Sequence, residues 1–523
     1  MPVPDDAFGL EVHSISKTYG ATRALRDVSF NVHRGSLHAL VGENGSGKST
    51  LVKILAGVVK SDEGPGSIVV EGVDTPANGL TPDLARSRNL HFVHQDPGMF
   101  SDMTVADNLF LSSVFPTTRL GHISRRRQNR AAADVLERFN LTTMRPTDLL
   151  GGLSSGRRTM LAIARALKDQ ADLEHGVLVL DEPTAALPER EARLLLSHLR
   201  TFAEQGQTIL YVTHRLDEVL NGADSFTAFR DGKHVTTATT RGLSKSELIT
   251  HIIGRALTDI SRDRAPIAGA APRVLEVEEL HTDRHYGISF SVRSGEVVGI
   301  AGILGSGRTS LLRTLFGGGG VLSGRVRVGG RPADIATPAA AMSSGFGYVP
   351  EDRGGDAVFP DMTVRFNLTA ATLKDFFRGL SLRRSEEVSE SVRIIDAFRI
   401  KTQSSEQAIS SLSGGNQQKV IIGRWLRSAP KVLILDEPTQ GVDVGARADI
   451  YELVGGAATK GMAILVASSD FEELELLCDR VLILRQGQLV KTLVGDQISV
   501  PRMTELAHAS RPSSVVTPTT TEV

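Results

Sequence analysis

The chain has 523 residues, of which 41% are hydrophobic and 23% charged, with a formal net charge of −1. At about 100–200 residues per domain this length implies more than one domain, and the balanced charge argues against a nucleic-acid binder or a polybasic membrane anchor. The lone cysteine, Cys478, rules out a disulfide within the chain and a cysteine-based zinc site.

Read from its start, "MPVPDDAFGL" carries early acids and no apolar signal core. No run approaches the roughly 18 apolar residues of a membrane span, and the best, "VVGIAGIL" (297–304), has the length of a buried strand. The expectation is a soluble chain that is not secreted, has no direct membrane span, and meets a membrane only through a partner.

The first nucleotide-type feature is "GENGSGKST" (42–50), flanked by an apolar "LHAL" and a helical "TLVKILAG". It matches the phosphate-loop pattern in full. A glycine-rich turn after a strand presents backbone N–H groups to phosphates, and the helix N-terminus that follows adds its positive end. Gly42, Asn44, Gly45, Gly47, Lys48, Ser49 and Thr50 form this candidate cradle for ATP. Lys48 is placed to reach the β- and γ-phosphates and Ser49 to bind Mg²⁺. Further on, "SRRRQNR" (124–130) reads as a solvated helix start with Ser124 as its cap. "VLVLDEPT" (177–184) then delivers Asp181 and Glu182 to the end of an apolar strand, where ligands sit in open α/β sheets. Asp181 would hold Mg²⁺ through water and Glu182 would polarise an attacking water.

The chain then repeats itself. "LEVHSISKTYG" from Leu10 is answered by "LEVEELHTDRH" from Leu275, and "DMTVADNLFL" (102–111) by "DMTVRFNLTA" (361–370). "GILGSGRTS" (302–310) answers the first phosphate loop, with Gly302, Gly305, Gly307, Thr309 and Ser310 in place but Arg308 where the lysine belongs. "VLILDEPT" (432–439) repeats the acidic strand end with Asp436 and Glu437. Two homologous domains follow, 1–258 and 274–505, joined by a linker at 259–273 and trailed by a disordered tail at 506–523. Short β-branched runs alternate with amphipathic helical stretches, so each half is α/β with a largely parallel sheet. Stretches such as 129–141 and 388–400 read as small helical subdomains.

"LSGGNQQK" (412–419), lying between a phosphate loop and "LILDEPT", resembles the signature of ATP-binding cassette ATPases. The resemblance covers roughly 10–505. It implies two tandem P-loop NTPase domains, each with a mostly parallel sheet core, an antiparallel β subdomain and a helical subdomain. It also implies that two such domains meet head to tail, each ATP touching the phosphate loop of one and the signature of the other. By motif it implies that Tyr19 stacks on adenine, Gln95 senses Mg²⁺ and the transmembrane partner, and His214 contacts the γ-phosphate. Ser413, Gly414 and Gly415 form one signature; Ser154 and Gly156 lie in the other, which reads "LSSGRR" with Ser155 in place of a glycine and Arg157 in place of a polar residue.

The departures from the pattern sort by site. Lys48, Ser49, Gln95, Asp181, Glu182 and His214 join the intact signature Ser413–Gly415, with Thr309 and Asp436 as metal residues only of the other site. That other site combines Arg308, Thr309, Glu351 in place of Gln, Asp436, Glu437 and Ser469 in place of His with the altered signature. Pro188 stands where the second half has Asp443, and Arg284 falls where the first half has Tyr19. The expectation is one site that hydrolyses ATP and one that mainly holds nucleotide.

The Arg phosphate loop, "YVPEDR", "LSGGNQQK" and "GVDVGA" together resemble the fused twin ATPase subunits of bacterial monosaccharide importers. This implies two integral membrane permease subunits and, through the complex, an extracytoplasmic sugar-binding protein, with the chain on the cytoplasmic side of the membrane and grooves near Gln95 and Glu351 receiving the permeases. A nucleoside importer ATPase shares the plan. A ribosome-associated twin cassette differs in usually having a long charged linker between two matched sites.

Overall fold

The computed structural model describes all residues except 1–7, 21, 95–96, 112–114, 118–121, 171–175, 186, 255–270, 380 and 509–523. The chain divides into two compact units, Met1–Ala256 and Leu257–Val523.

In the first unit, β1 (Phe8–Tyr19), β2 (Thr22–His33), β4 (Ser67–Val70) and β5 (Val73–Pro76) form an antiparallel sheet in the order β2-β1-β4-β5. A second sheet runs β10-β9-β3-β8-β7-β6, built from β3 (Leu37–Gly42), β6 (Leu90–Val93), β7 (Val177–Asp181), β8 (Thr208–Val212), β9 (Ser225–Arg230) and β10 (Lys233–Thr239). Its neighbours pair in parallel except at the β9–β10 edge. Strand β3 is buried at every residue, which is why it reads as a continuous apolar run and not as an alternation. His38 within it is kept neutral: burial pushes its imidazole down to about 3, and its ring nitrogens bond Ser225 and Thr227 hydroxyls at 2.8 Å.

The second unit repeats this plan. Strands β11 (Arg273–His281), β12 (Ile288–Arg293), β14 (Ser323–Val328) and β15 (Arg331–Pro332) form the antiparallel sheet β12-β11-β14-β15. The larger sheet, β16-β19-β20-β13-β21-β22, is the first in reverse listing: β13 (Val297–Ala301), β16 (Phe346–Val349), β19 (Val432–Asp436), β20 (Ala463–Ala467) and β21 (Arg480–Arg485) pair in parallel, and β22 (Gln488–Val494) closes the edge antiparallel. A short hairpin, β17 (Phe377–Arg378) and β18 (Ser381–Leu382), is specific to this half among the described residues.

The helix after each phosphate loop, Lys48–Leu55 or Arg308–Leu315, buries its apolar face between the two sheets. Leu51 and Ile54 pack with Val12, Leu40 and Leu210 in the first half, and Leu311 and Leu315 pack with Val277, Ile300 and Leu465 in the second. At about 2 kcal/mol per buried leucine, this packing fixes the helix N-terminus that must face the phosphates.

The helical subdomains carry the same device in both halves. Asn108 accepts the Phe100 N–H at 2.9 Å and donates to the Thr104 carbonyl at 3.0 Å; Asn367 repeats this with Phe359 and Thr363 at 2.9 and 3.1 Å. These are the asparagines of the two "DMTV" repeats. The helices Arg125–Arg138 and Arg384–Ala397 follow. Ser124 sits at the N-cap of the first, but its side chain makes no capping bond there. The basic run is tied down instead: Arg125 pairs with Asp107, and Arg127 Nη1 donates to the Thr117 carbonyl at 2.9 Å. Ser124 thus takes the expected cap position without the side-chain bond expected of it.

Strand β11 begins at Arg273 and the last helix, Val500–His508, runs past residue 505. Most of the expected linker and the tail beyond 508 lie outside the described residues. No helix among the described residues is long and apolar enough to cross a membrane.

Candidate functional site

Each phosphate loop is a tight turn between a buried strand and a helix. Gly47 and Gly307 stand at the helix N-caps in the left-handed region, with φ of 102° and 104°. A Cβ on Gly47 would lie 2.5 Å from the Ala24 carbonyl oxygen, and one on Gly307 would lie 2.9 Å from His285 Nε2. Only glycine meets both demands. Gly42 ends β3 and Gly302 directly follows β13, Gly45 and Gly305 turn the loops at φ of 79° and 81°, and Asn44 is exposed at the tip.

The two loops differ in what their cation does. Lys48 is buried and donates to the carbonyls of Gly42 and Glu43 at 2.7 and 2.8 Å. The ammonium lies inside its own loop, and its charge bears on Asp181 and Glu182. Arg308 instead crosses to the acidic strand end: its Nη2 lies 3.1 Å from Glu437 Oε1, with both side chains 8% exposed. Its Nη1 is buried with no partner in the structure.

Both acidic strand ends turn through a strained residue. Glu182 has φ of 50° and Glu437 φ of 47°, in the left-handed region that disfavours side chains. The backbone N–H of Glu182 donates to the Val212 carbonyl at 3.1 Å and that of Glu437 to Ala467 at 2.8 Å. These bonds hold the turn, which aims the carboxylate off the strand.

The surroundings of the two glutamates are unlike. Glu182 is half-buried, with His214 Nδ1 3.5 Å from Oε1. The bond with His214 holds its carboxyl below the usual glutamate range, against the upward push of burial. Glu437 has both oxygens engaged: Arg308 on Oε1, and the N–H and Oγ of Ser469 on Oε2, each at 3.0 Å. Three donors thus share the Glu437 carboxylate, which leaves a water one lone pair, on Oε1.

In the second half the structure brings together Thr309, Glu351 and Asp436. Thr309 Oγ1 lies 3.3 Å from both Glu351 Oε2 and Asp436 Oδ1. Tyr348 donates to Asp436 Oδ2 at 3.2 Å. Burial, then the neighbouring Glu351, push the Asp436 carboxyl up to about 6. Asp181 is also raised, by burial and then Glu182. Ser310 and Thr50 continue the first turns of the two loop helices.

Tyr19 ends β1 with its ring 46% exposed, and Lys17 Nζ is 5.3 Å from the ring centroid. Arg284 is exposed, and its neighbour His285 was not singled out by the sequence. His285 is buried, with Nδ1 2.8 Å from Thr282 Oγ1 and Nε2 3.0 Å from the Gly307 carbonyl oxygen. It steadies the second loop where Leu25 lines the first. Gln95 lies outside the described residues.

Ser154 and Ser413 stand at the N-caps of the signature helices Ser155–Leu167 and Gly414–Arg427, Ser154 with a side-chain capping bond and Ser413 without one. Arg157 is exposed, and its N–H donates to Ser154 Oγ at 3.5 Å. Pro188 caps the helix Glu189–Glu204 with no side-chain bond, whereas Asp443 accepts the Ala446 N–H at 2.9 Å.

The match to the ABC transporter family model spans residues 25–185 and 286–440, covering both loops and both acidic strand ends. The chain belongs to this family. Relatives agree along nearly the full length. A "Putative ribose/galactose/methyl galactoside import ATP-binding protein 1" of Burkholderia cenocepacia is 38% identical over 95% of this chain and 93% of its own. "Ribose import ATP-binding protein RbsA" of Bacillus licheniformis is 37% identical over 96% of this chain and all of its own. Among solved structures, an archaeal ribosome recycling factor, aABCE1, in complex with a stalk protein shares the fold at a TM-score of 0.53 and 20% identity, over 94% of this chain and 92% of that one. The ABC transporter ATPase domains bind ATP, and the two phosphate loops are where this chain would hold it.

Proposed function

We propose that this chain is the ATPase subunit of a bacterial monosaccharide importer, working beneath two membrane permeases and, through them, an extracytoplasmic sugar-binding protein. The near full-length likeness to ribose and galactose import ATP-binding proteins supports this reading. Grooves beside the Gln95 position, lined by His94, Pro97, Leu111 and Arg165, and beside Glu351 and Arg353, are the surfaces proposed to receive the permeases. The chain would then work on the cytoplasmic side of the membrane.

The single observation that carries the unequal-sites reading is the ion pair between Arg308 and Glu437. In the proposed arrangement the first loop pairs with Ser413, Gly414 and Gly415, and the second with Ser154 and Gly156. At the first site Tyr19 stacks on adenine and Lys48 moves from its loop carbonyls to the β- and γ-phosphates. Glu182 orients a water whose oxygen attacks the γ-phosphorus as the bond to the ADP oxygen breaks. The proton of that water leaves toward Glu182, and His214 meets the γ-phosphate. This positioning and charge placement is what phosphoryl transfer needs.

The residues also fit Mg²⁺. Hydroxyl and carboxylate oxygens stand together at Thr309 and Asp436, a hard oxygen set, and the raised Asp436 marks a place where a cation relieves crowded negative charge. Ser49, Asp181 and Gln95 at the first site, and Thr309 and Asp436 at the second, would hold it. When bound, the ion neutralises phosphate charge. At the second site Glu437 is bound to Arg308 and Ser469, so nucleotide would be held and seldom cleaved.

The test is reconstitution with candidate permease subunits in membranes. Sugar should stimulate the ATPase. Stimulation by nucleosides alone would make it a nucleoside importer, and co-purification with ribosomes in place of membranes would overturn the transport reading.

A further inference from the structure

Two side chains to which the motifs assign no role make opposite contacts with the two signature helices. In the first half, the Gly156 N–H donates to Glu191 Oε2 at 2.7 Å. Gly156 is the second residue of its helix, so this N–H is one of the few a helix leaves for a capping group or an anion. Glu191 lies in the first turn of the helix Glu189–Glu204. A Cβ on Gly156 would lie 2.8 Å from that carboxylate oxygen and 3.2 Å from the Glu191 Cβ. The carboxylate therefore fills the end of the signature helix.

The second half has a methyl group at that place. Ala446, like Glu191, stands three residues past its helix N-cap, and a Cβ on Gly415 would lie 2.4 Å from the Ala446 Cβ. The charge near this signature has the other sign. Arg353 Nη1 donates to the Gly414 carbonyl, and Nη2 to the Gln440 carbonyl at 3.4 Å. A guanidinium on a carbonyl leaves the neighbouring N–H groups for another acceptor. Arg353 comes from the segment after β16, and the first half has Pro97 in its place, counting from Glu351 and Gln95.

We propose that Glu191 and Arg353 are positioning residues that set the two signatures apart. Glu191 stands in for a phosphate and keeps the first-half signature from taking one. Arg353 adds positive charge and keeps the second-half signature ready for the γ-phosphate at the Lys48 loop. This rests on the head-to-tail pairing proposed above. The carboxylate both occupies the donor and repels an incoming anion, whereas the guanidinium does neither.

The experiment uses the full chain assembled with its permeases. In a Glu182→Gln background, radiolabelled Mg·ATP retained through desalting should be about one per chain, because ATP held by the Arg308 loop without its signature exchanges during desalting. Adding Glu191→Ala should raise it toward two, and Glu191→Gln, which keeps the bulk and drops the charge, should raise it partway. A gain in retention is not what a loosened fold produces. In the otherwise unchanged chain, Arg353→Ala should lower kcat about 10-fold while KM for ATP stays within about twofold, and Arg353→Lys should recover part of the loss. Retention left at one by Glu191→Ala, or a KM change as large as the kcat change for Arg353→Ala, overturns the proposal. Ser413→Ala checks the pairing separately: if turnover survives it, the head-to-tail reading fails whatever the Glu191 variants do.

Discussion

Arg308 Nη2 and Glu437 Oε1 are 3.1 Å apart and buried together, while their counterparts Lys48 and Glu182 have separate hydrogen-bond partners. A lysine in the loop is a compact charge that rests on its own carbonyls. An arginine is longer and planar, and in this chain it reaches the glutamate that would otherwise polarise water. In the proposed scheme this one difference would alter two functions, phosphate binding and base availability.

The ion pair has a stability consequence. Arg308→Ala leaves Glu437 buried with only Ser469 as partner, and breaking a buried pair from one side costs about 3 kcal/mol or more. The variant should unfold at lower denaturant, whereas Arg308→Met with Glu437→Leu should recover most of the loss. Equal destabilisation by the single and double variants would show that the pair is not what holds this corner.

In the proposed mechanism, His214 is expected to set the acid side of the pH–rate profile. Its bond to Glu182 holds that carboxyl low, so Glu182 stays a carboxylate, able to accept a proton, as the pH falls. Without His214 the Glu182 pKa rises and the acid limb moves to higher pH. His214→Ala should also cut turnover about 100-fold, and a slower enzyme with an unmoved acid limb would place His214 on the phosphate alone.

Asp436 gives the second site its own pH dependence. A carboxyl raised to about 6 stabilises the fold below its unfolded pKa of 3.8, and this contribution is lost as pH rises through about 6. Cation binding runs the other way, since it needs the carboxylate. In a Lys48→Ala chain, Mg·ATP should bind about 10-fold less tightly at pH 5 than at pH 7. Glu351→Gln removes a neighbouring negative charge and should lower the midpoint; an unchanged midpoint would assign the titration to the nucleotide.

The parts of both sites that are continuous in the chain were legible before the fold was known. The loops at 42–50 and 302–310, the acids at 181–182 and 436–437, and the sheet-and-helix alternation all follow from local patterns. The contacts that tell the sites apart were not. Gly156 and Glu191 are 35 residues apart, and Arg353 and Gly414 are 61. Glu191 reads as an ordinary first-turn acid until the fold brings it to another helix. His285 looks like a residue of a polar turn until the connection between β11 and β12 brings it against Gly307. Ser124 shows the converse, a correct cap position without the bond that the residue type suggests.

The central claim, that one site turns ATP over and the other binds it without cleaving it, is tested most directly by ATPase rates of Glu182→Gln and Glu437→Gln in the assembled complex. Loss of a working base should lower turnover by about 100-fold or more. The account predicts that loss for Glu182→Gln and a rate within about threefold of the parent for Glu437→Gln. Equal losses from the two substitutions would contradict it.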